Sequence, residues 1–578
     1  MRDGYPFDHF DKLIKEAKRA NDDQQAAKYI DWIEATFGRT YAEIARKAWQ
    51  QSRNIDAIDE AIEHFERQQA EKARLDDIVE APPPVHGSAR WATLSELKRS
   101  GHMVPGKVWA DFSDRIRFNK VHIAEEDMAI DKQDSYIAWR GEGHLLTCGT
   151  TRSGKASAQI VPNLISYCGS VVVNDPKGEL WELTAGSRYV NGSKVFKIAP
   201  FDDDTDSLNP LDLIETEEDA RLLAKALVPE RSSGDGGFFE REAANFLTAV
   251  ILERALYERD PEYRTIGYIR DLVFGDPAEL KAYVRTLTEM PHATIRNQAH
   301  GFLGRGFKAI SDLKRSLDEP MAIWDNPGLR RATSRSDFAI DRLKTDIISV
   351  YLRMPLYGSE AYRRFVGSFY TLLINRMVRT RMDRVVAVLF VLDEFANLGP
   401  QPELVNLLSY GAGHNMRAWL FVQDFLQLKR LYGDEWETIL AQTEVKSFLN
   451  VKDPYTLGKI ADYMGQTTVA YRSPSLSTTA GGGYGTTDYG ESGGRNDGHS
   501  STEGVQLVGR PLLMPDELRE LLSRKWSNID HGHLQLLLID GLRPFACLRT
   551  PYFVMGDTED WLKRTAEKLA EDRLAGVA

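Results

Sequence analysis

The chain has 578 residues, 42% hydrophobic and 27% charged, the balance of a soluble globular protein with several domain-sized units. Its net charge of −12 argues against a surface that binds nucleic acid everywhere, while leaving room for a local basic channel. Three cysteines, Cys148, Cys168 and Cys547, form no metal pattern and fit a reducing, cytoplasmic setting.

Charged sequence, not an apolar core, follows Met1-Arg2-Asp3-Gly4, so no signal peptide is expected. The longest apolar run, residues 385–392, is far short of the ~20 residues that cross a bilayer. No direct membrane span is expected, and membrane contact would come through a partner.

Residues 1–80 carry apolar positions at helical spacing: Ala26, Ile30, Ile33 and Phe37, then Tyr41, Ile44 and Ala48, then Ile55, Ile58, Ile62 and Phe65. They read as a small helical bundle, either a packing domain or a docking module. Ala81-Pro82-Pro83-Pro84 is a stiff linker. Residues 107–140 read as strands and turns.

They lead into Leu145-Leu146-Thr147-Cys148-Gly149-Thr150-Thr151-Arg152-Ser153-Gly154-Lys155, an apolar run ending in G-x-x-x-x-G-K. Glycines let successive N–H groups curl toward an anion, and a following helix adds its positive end. Lys155 supplies a mobile charge for outer phosphates. The next residue, normally a Mg²⁺-ligating Ser or Thr, is Ala156, with Ser157 one step on. Taken alone, the stretch also reads as a glycine turn with a solvated lysine.

Buried strands are expected at 170–175 and 194–198, and strands alternating with helices mean an α/β sheet. Residues 216–333 then read as almost all helix, at 220–227, 240–257, 266–272, 277–287 and 301–317. Strand character returns at 345–352, followed by an arginine-rich helix at 361–382 whose arginines read as a solvated face.

The apolar strand 385–392 ends in Asp393-Glu394. A carboxylate there can hold Mg²⁺, and its neighbour can deprotonate water. The strand 419–422 ends in Gln423, placed to touch a terminal phosphate. Residues 473–504, rich in Ser, Thr, Gly and Asn, read as disordered or a long loop. A hairpin-like pair at 534–540 and 545–549 and an exposed helix over the last twenty residues close the chain.

Together Gly149 to Lys155 with Pro162-Asn163-Leu164, Asp175-Pro176-Lys177-Gly178-Glu179, Asn209-Pro210-Leu211 and Leu392-Asp393-Glu394-Phe395-Ala396-Asn397-Leu398-Gly399 resemble the type IV coupling proteins. These are the conjugative DNA-transfer ATPases of type IV secretion systems. Arg510-Pro511-Leu512-Leu513, Gly541-Leu542-Arg543-Pro544 and His86-Gly87-Ser88-Ala89-Arg90-Trp91-Ala92 add to the match, which runs over about 85–555.

The resemblance implies an α/β fold: a RecA-like P-loop motor domain with an inserted all-α domain and an N-terminal helical appendage. The domain plan becomes a helical region over 1–80, a linker and lead-in segment over 81–106, and the first part of the motor domain over 107–215. The all-α insertion takes 216–333, the second part of the motor takes 334–555 with a flexible loop at 473–504, and a C-terminal helix takes 556–578.

The resemblance further implies ATP and Mg²⁺ as cofactors, with Gly149, Thr150, Thr151, Arg152, Ser153, Gly154, Lys155, Ala156 and Ser157 around the nucleotide. Lys155 would bind the β- and γ-phosphates, Asp393 Mg²⁺, Glu394 the attacking water and Gln423 the γ-phosphate. The implied assembly is a homo-hexamer at the cytoplasmic face of the bacterial inner membrane. It would pass single-stranded DNA with its relaxase, or an effector protein, to secretion-channel components.

Three departures stand out. The family's N-terminal transmembrane helices give way here to the helical region 1–80, so a separate small membrane subunit is one expected partner. Ala156 lacks the Mg²⁺-ligating hydroxyl. Where some relatives place a trans-acting arginine, this chain has Ala412, and Arg417 is the nearest candidate. A recruitment platform with little hydrolysis and a DNA translocase unconnected with secretion remain as alternatives.

Overall fold

The computed structural model describes residues 15–105, 115–123, 135–228, 235–305, 307–354, 360–380, 386–482, 495–523 and 533–577. Its strands, in chain order, are β1 (Met103–Pro105), β2 (Ile116–Ile123), β3 (Ser135–Trp139), β4 (His144–Gly149), β5 (Ser170–Asn174), β6 (Lys194–Ile198) and β7 (Ile348–Leu352). Then follow β8 (Val388–Leu392), β9 (Met416–Val422), β10 (Thr443–Leu449), β11 (Gln466–Gly482), β12 (Arg495–Pro511), β13 (His533–Ile539) and β14 (Phe545–Arg549). The chain divides into two units: residues 1–88 with 465–511, and residues 89–464 with 512–578.

In the smaller unit, the helices Asp23–Phe37, Arg39–Ser52 and Ile55–Glu80 bury a cluster of Ala26, Tyr29, Ile30, Ile33, Ala42, Ala45, Trp49, Ile55 and Ile58. Asp22 caps the first helix by accepting from the Gln25 N–H at 2.9 Å. β11 and β12 pair antiparallel from Gln466–Pro511 to Gly482–Arg495. Much of 473–504, expected as a loop, is therefore paired backbone; its residues 483–494 lie outside the described residues. Ladder hydrogen bonds need no apolar side chains, so a Ser/Thr/Gly-rich composition hid them. Arg472 of the ribbon pairs with Asp76 of the third helix. The extended turn at Gly87 (φ +153°) brings its backbone against Gln466, where a Cβ would lie 2.2 Å from the carbonyl oxygen.

The larger unit carries, among the described residues, a 12-stranded sheet ordered β1-β3-β2-β14-β13-β10-β4-β9-β8-β5-β7-β6. From β10 to β6 every neighbour is parallel. From β13 to β1 the pairing is antiparallel. β4, β5, β7, β8 and β9 are buried along their whole length, as their unbroken apolar runs require. This is the α/β sheet expected from the alternation of elements. β10, which sequence reasoning passed over, lies in mid-sheet between β4 and β13. Its polar residues (Thr443, Glu444, Lys446 and Ser447 around Val445) concealed a mostly buried strand.

Between β6 and β7 the chain is helical from Glu217–Leu227 to Pro327–Ala332, the expected all-α insertion. The stretch 301–317 belongs to two helices, Ala293–Gly304 and Phe307–Met321. The expected arginine-rich helix runs over Glu360–Arg379; Arg381 and Met382 lie outside the described residues.

The last helix, Thr558–Leu574, is not simply exposed. It buries Leu562, Thr565 and Leu569 against the helix Glu179–Val190. Gly186 permits that approach, because a Cβ there would meet Thr565 backbone at 2.3 Å. The Arg573 guanidinium is bidentate to Asp206 at 3.0 and 3.1 Å.

One buried histidine ties β4 to β9. His144 Nδ1 accepts the Ala418 N–H at 2.9 Å, and its Nε2 is buried without a partner. Burial, then the Arg417 charge, pushes its pKa down to about 4. A group depressed in the fold contributes stability that is complete above its unfolded value and lost as pH falls toward the folded one. The window is therefore pH 6.5 down to 4, and the loss reaches about 2 kcal/mol by pH 5. Urea unfolding at pH 8 and pH 5 should show this extra acid lability in the wild type and not in His144→Asn, whose amide oxygen still accepts. Equal pH sensitivity in both proteins would remove His144 as its source.

Candidate nucleotide-binding site

β4 ends at Gly149, where a Cβ would lie 2.5 Å from the Leu449 carbonyl oxygen, so the end of β10 can approach only a glycine. The loop then reverses through two left-handed residues, Arg152 (φ +60°) and Gly154 (φ +88°). Ser153 N–H donates to the Thr150 carbonyl at 3.1 Å, and Thr150 Oγ1 donates to the Asn450 carbonyl at 3.1 Å. The helix that follows opens with a π-turn over Ala156–Ile160 and continues as α over Val161–Ser166.

The expected loop residues thus surround one backbone cradle. Lys155 Nζ folds back across it, donating to the Gly149 carbonyl and, at 3.2 Å, to the Thr150 carbonyl. Burial lowers the lysine's pKa, opposed by the Asp393 carboxylate. Ser153 Oγ is buried without a partner. An ammonium resting on carbonyl oxygens and an orphaned hydroxyl are the state of a loop built to receive an anion.

A buried polar network supports the loop from below. Gln159 accepts from Thr147 Oγ1 at 2.8 Å and donates to Ser447 Oγ and Gln535 Oε1 at 2.7 and 2.6 Å. Trp419 Nε1 donates to Thr147 Oγ1 at 2.9 Å. Asn163 pairs with the β2 backbone, accepting from Arg117 N–H at 2.7 Å and donating to its carbonyl at 3.0 Å.

The carboxylates arrive on β8. Asn174, at the end of β5, donates to the Asp393 carbonyl at 2.6 Å. Burial, then the Glu394 charge, pushes the Asp393 carboxyl up to about 6. Glu394 adopts the left-handed conformation (φ +53°), which costs a non-glycine residue on the order of 1–3 kcal/mol. Its Oε2 accepts from Asn397 Nδ2 at 2.7 Å and its Oε1 lies 2.7 Å from Lys177 Nζ. Lys177 comes from the turn after β5, whose Asp175 carboxylate accepts the Trp181 N–H at 2.7 Å. Burial raises that carboxyl to about 6.

Gln423 stands at the end of β9, its N–H donating to Gln427 Oε1 at 3.2 Å and its carbonyl accepting from Cys148 Sγ at 3.5 Å. The structure therefore gathers the loop, Gln423, the Asp393-Glu394 pair and the Asp175–Lys177 turn from the ends of adjacent strands β4, β9, β8 and β5. The carboxyl ends of parallel strands are where such sheets bind ligands.

Arg417 is not among them. It is the second residue of β9, at the other end of the strand from Gln423. It is only 8% exposed, its guanidinium 5.9 Å from the Trp139 ring centroid. An arginine that acts on a neighbouring subunit must project from the surface, and this one is held in the interior of its own chain.

Sequence reasoning missed Lys177 and Asn397 as partners of Glu394, although both lie in motifs it quoted. It also missed Arg549, whose Nη1 donates to the Ser153 carbonyl. Arg549 is 6% exposed, and burial pushes its pKa down to about 10. No local signal marks it, because it reaches the loop only through the sheet order.

Comparison with known proteins follows the same lines. VirD4 of Rhizobium radiobacter is 27% identical over 503 residues, covering 84% of this chain, and the chain spans 65% of VirD4. The conjugal transfer protein TraG of Escherichia coli is 29% identical over 478 residues, covering 75% of this chain and 70% of TraG. Among solved structures, the plasmid coupling protein TrwB with the ATP analogue ADPNP superposes with a TM-score of 0.51 at 16% identity, over 80% of this chain and 93% of that one. TrwB with ADP and Mg²⁺ gives 0.50 at 15% identity, over 80% and 94%. At these identities the likeness shows the fold, a RecA-like P-loop domain with an inserted helical domain. The family model described as type IV secretory system conjugative DNA transfer matches residues 90–573, and the chain belongs to that family.

Proposed function

We propose that the chain is an ATP-hydrolysing coupling protein that drives DNA with its relaxase, or a protein cargo, into a type IV secretion channel. The observation that carries this reading is the meeting, at the carboxyl ends of adjacent parallel strands, of an anion-ready loop with a carboxylate pair and a strand-end glutamine. The TrwB structures hold an ATP analogue and ADP with Mg²⁺, which supports the same cofactors here.

The roles follow from the chemistry of each group. Loop N–H groups and Lys155 neutralise the β- and γ-phosphates. Lys155 leaves two carbonyl oxygens for phosphate, a stronger acceptor. Asp393 is the carboxylate that would hold Mg²⁺. A carboxyl raised by burial is driven to its ionised form by a cation. No side chain at Ala156 can add an oxygen, so phosphate and water oxygens would complete the shell. When bound, the ion would draw charge from the transferring phosphoryl oxygens.

Glu394 takes a proton from water as the water oxygen bonds to the γ-phosphorus. The bond from that phosphorus to the β–γ bridging oxygen breaks, and ADP leaves. Gln423 contacts the γ-phosphoryl group. The ring is a homo-hexamer, assembled at the cytoplasmic face of the inner membrane. Among the described residues no helix is long and apolar enough to cross a membrane. In this reading a separate small membrane subunit docks on the helical region 1–80 and recruits the ring. One observation favours a second reading, a recruitment platform with slow hydrolysis: both oxygens of Glu394 are already engaged within the chain.

Steady-state ATP hydrolysis with and without single-stranded DNA separates the two. A motor should turn over faster with DNA and lose about 10²-fold or more in Glu394→Gln. Turnover no faster than that variant under either condition would leave the platform. Lys155→Ala should abolish nucleotide binding measured by calorimetry with little shift of the melting temperature, since the hydrogen bonds of its ammonium go to carbonyls of its own loop. Normal ATP binding by that variant would overturn the loop assignment.

A further inference from the structure

The turn Asp175-Pro176-Lys177-Gly178-Glu179 is built to keep its backbone still. The Asp175 carboxylate receives the Trp181 N–H, the Gly178 N–H donates to the Asp175 carbonyl at 3.2 Å, and Pro176 fixes the chain between them. Gly178 is left-handed (φ +79°), and a Cβ there would lie 2.7 Å from the Arg353 guanidinium carbon. Arg353 is itself anchored on Asp202 at 2.8 Å. On this rigid turn the free element is the Lys177 side chain, 48% exposed, whose ammonium sits 2.7 Å from Glu394 Oε1.

Glu394 is far less exposed, at 14%, and its other oxygen is taken by Asn397. A carboxylate paired with lysine pulls less strongly on a water proton than a free one. Lys177 also lies close enough to Lys155 for the two charges to repel. Of these two lysines, Lys155 serves the loop and Lys177 serves Glu394.

We propose that Lys177 makes this site distinguish ATP from ADP, by leaving Glu394 for the γ-phosphate and so freeing Glu394 only when ATP is bound. The inference rests on the nucleotide reading of the site given above. A γ-phosphate brings about two negative charges and three strong acceptor oxygens, a better partner for an ammonium than one carboxylate oxygen. ADP ends at the β-phosphate, within reach of the loop and Lys155. With ADP, Lys177 stays on Glu394 and the proton acceptor remains engaged. The exchange needs only rotation about the lysine stem, which the exposed side chain permits.

Calorimetric binding of a non-hydrolysable ATP analogue and of ADP, both with Mg²⁺, tests this without relying on turnover. Lys177→Met should weaken the analogue about 10-fold or more and leave ADP within about twofold. Glu394→Gln removes the competing carboxylate, so it should tighten the analogue and not ADP. The double variant should show no such tightening, because the lysine that would move is gone. Lys177→Gln serves as a second variant, and near-UV circular dichroism confirms the native fold of each. Equal weakening of both nucleotides by Lys177→Met, or tightening by Glu394→Gln that persists without Lys177, would overturn the proposal. A wild-type protein that binds neither nucleotide would overturn the underlying reading and this inference with it. Binding of both nucleotides with no Lys177 effect would overturn the inference alone.

Discussion

Cys148 pairs with Val422, Leu420 with Leu392, and Leu392 with Asn174. Through these three pairs β8 and β5 end level with one another while β9 and β4 run two and three residues further, and the residues after the four ends gather along one edge of the sheet. The phosphate-type loop, Gln423, Asp393-Glu394 and Asp175 are those next residues. A slip of one residue in any strand would turn its side chains to the other face. Continuous apolar runs buried on both faces make such a slip costly, because every position is packed.

The loop itself depends on polar contacts placed under it. Gln159 joins β4, β10 and β13 through Thr147, Ser447 and Gln535, all buried. Asn163 serves the β2 backbone as a neighbouring strand would. A satisfied buried network of this kind holds one geometry, since breaking any member strands the others without water. The same reasoning applies to Glu394, whose left-handed backbone and double pairing hold its carboxylate in a single position. Of its two partners, Asn397 and Lys177, the lysine is an ammonium on a long side chain that is 48% exposed.

Arg417 and Arg549 show where local reading stops. Both are buried arginines near strand ends. Position in sequence favoured Arg417, the arginine nearest to Ala412. The sheet places it at the far end of β9 instead, while Arg549, at the close of the chain's last hairpin, reaches the loop. The ribbon of β11 and β12 makes the same point for backbone. Its composition offers no apolar period, and its pairing becomes visible only when two distant segments are set side by side. β10 was hidden for the opposite reason: Glu444, Lys446 and Ser447 look solvated, yet the strand runs through the middle of the sheet.

The sequence by itself determined the kinds of element and the chemistry they carry. Unbroken runs such as Ser170-Val171-Val172-Val173-Asn174 require burial on both faces. Gly149 and Gly154 with Lys155 make a loop for an anion, and Asp393-Glu394 mark a strand end with carboxylates. These features are local, so their physics is written in neighbouring residues. Only the tertiary structure decided which strand ends meet, that Lys177 and Asn397 hold Glu394, that Arg549 touches the loop and that Arg417 does not. Those outcomes depend on strand order and register across hundreds of residues, and they are settled by packing, which no short stretch of sequence contains.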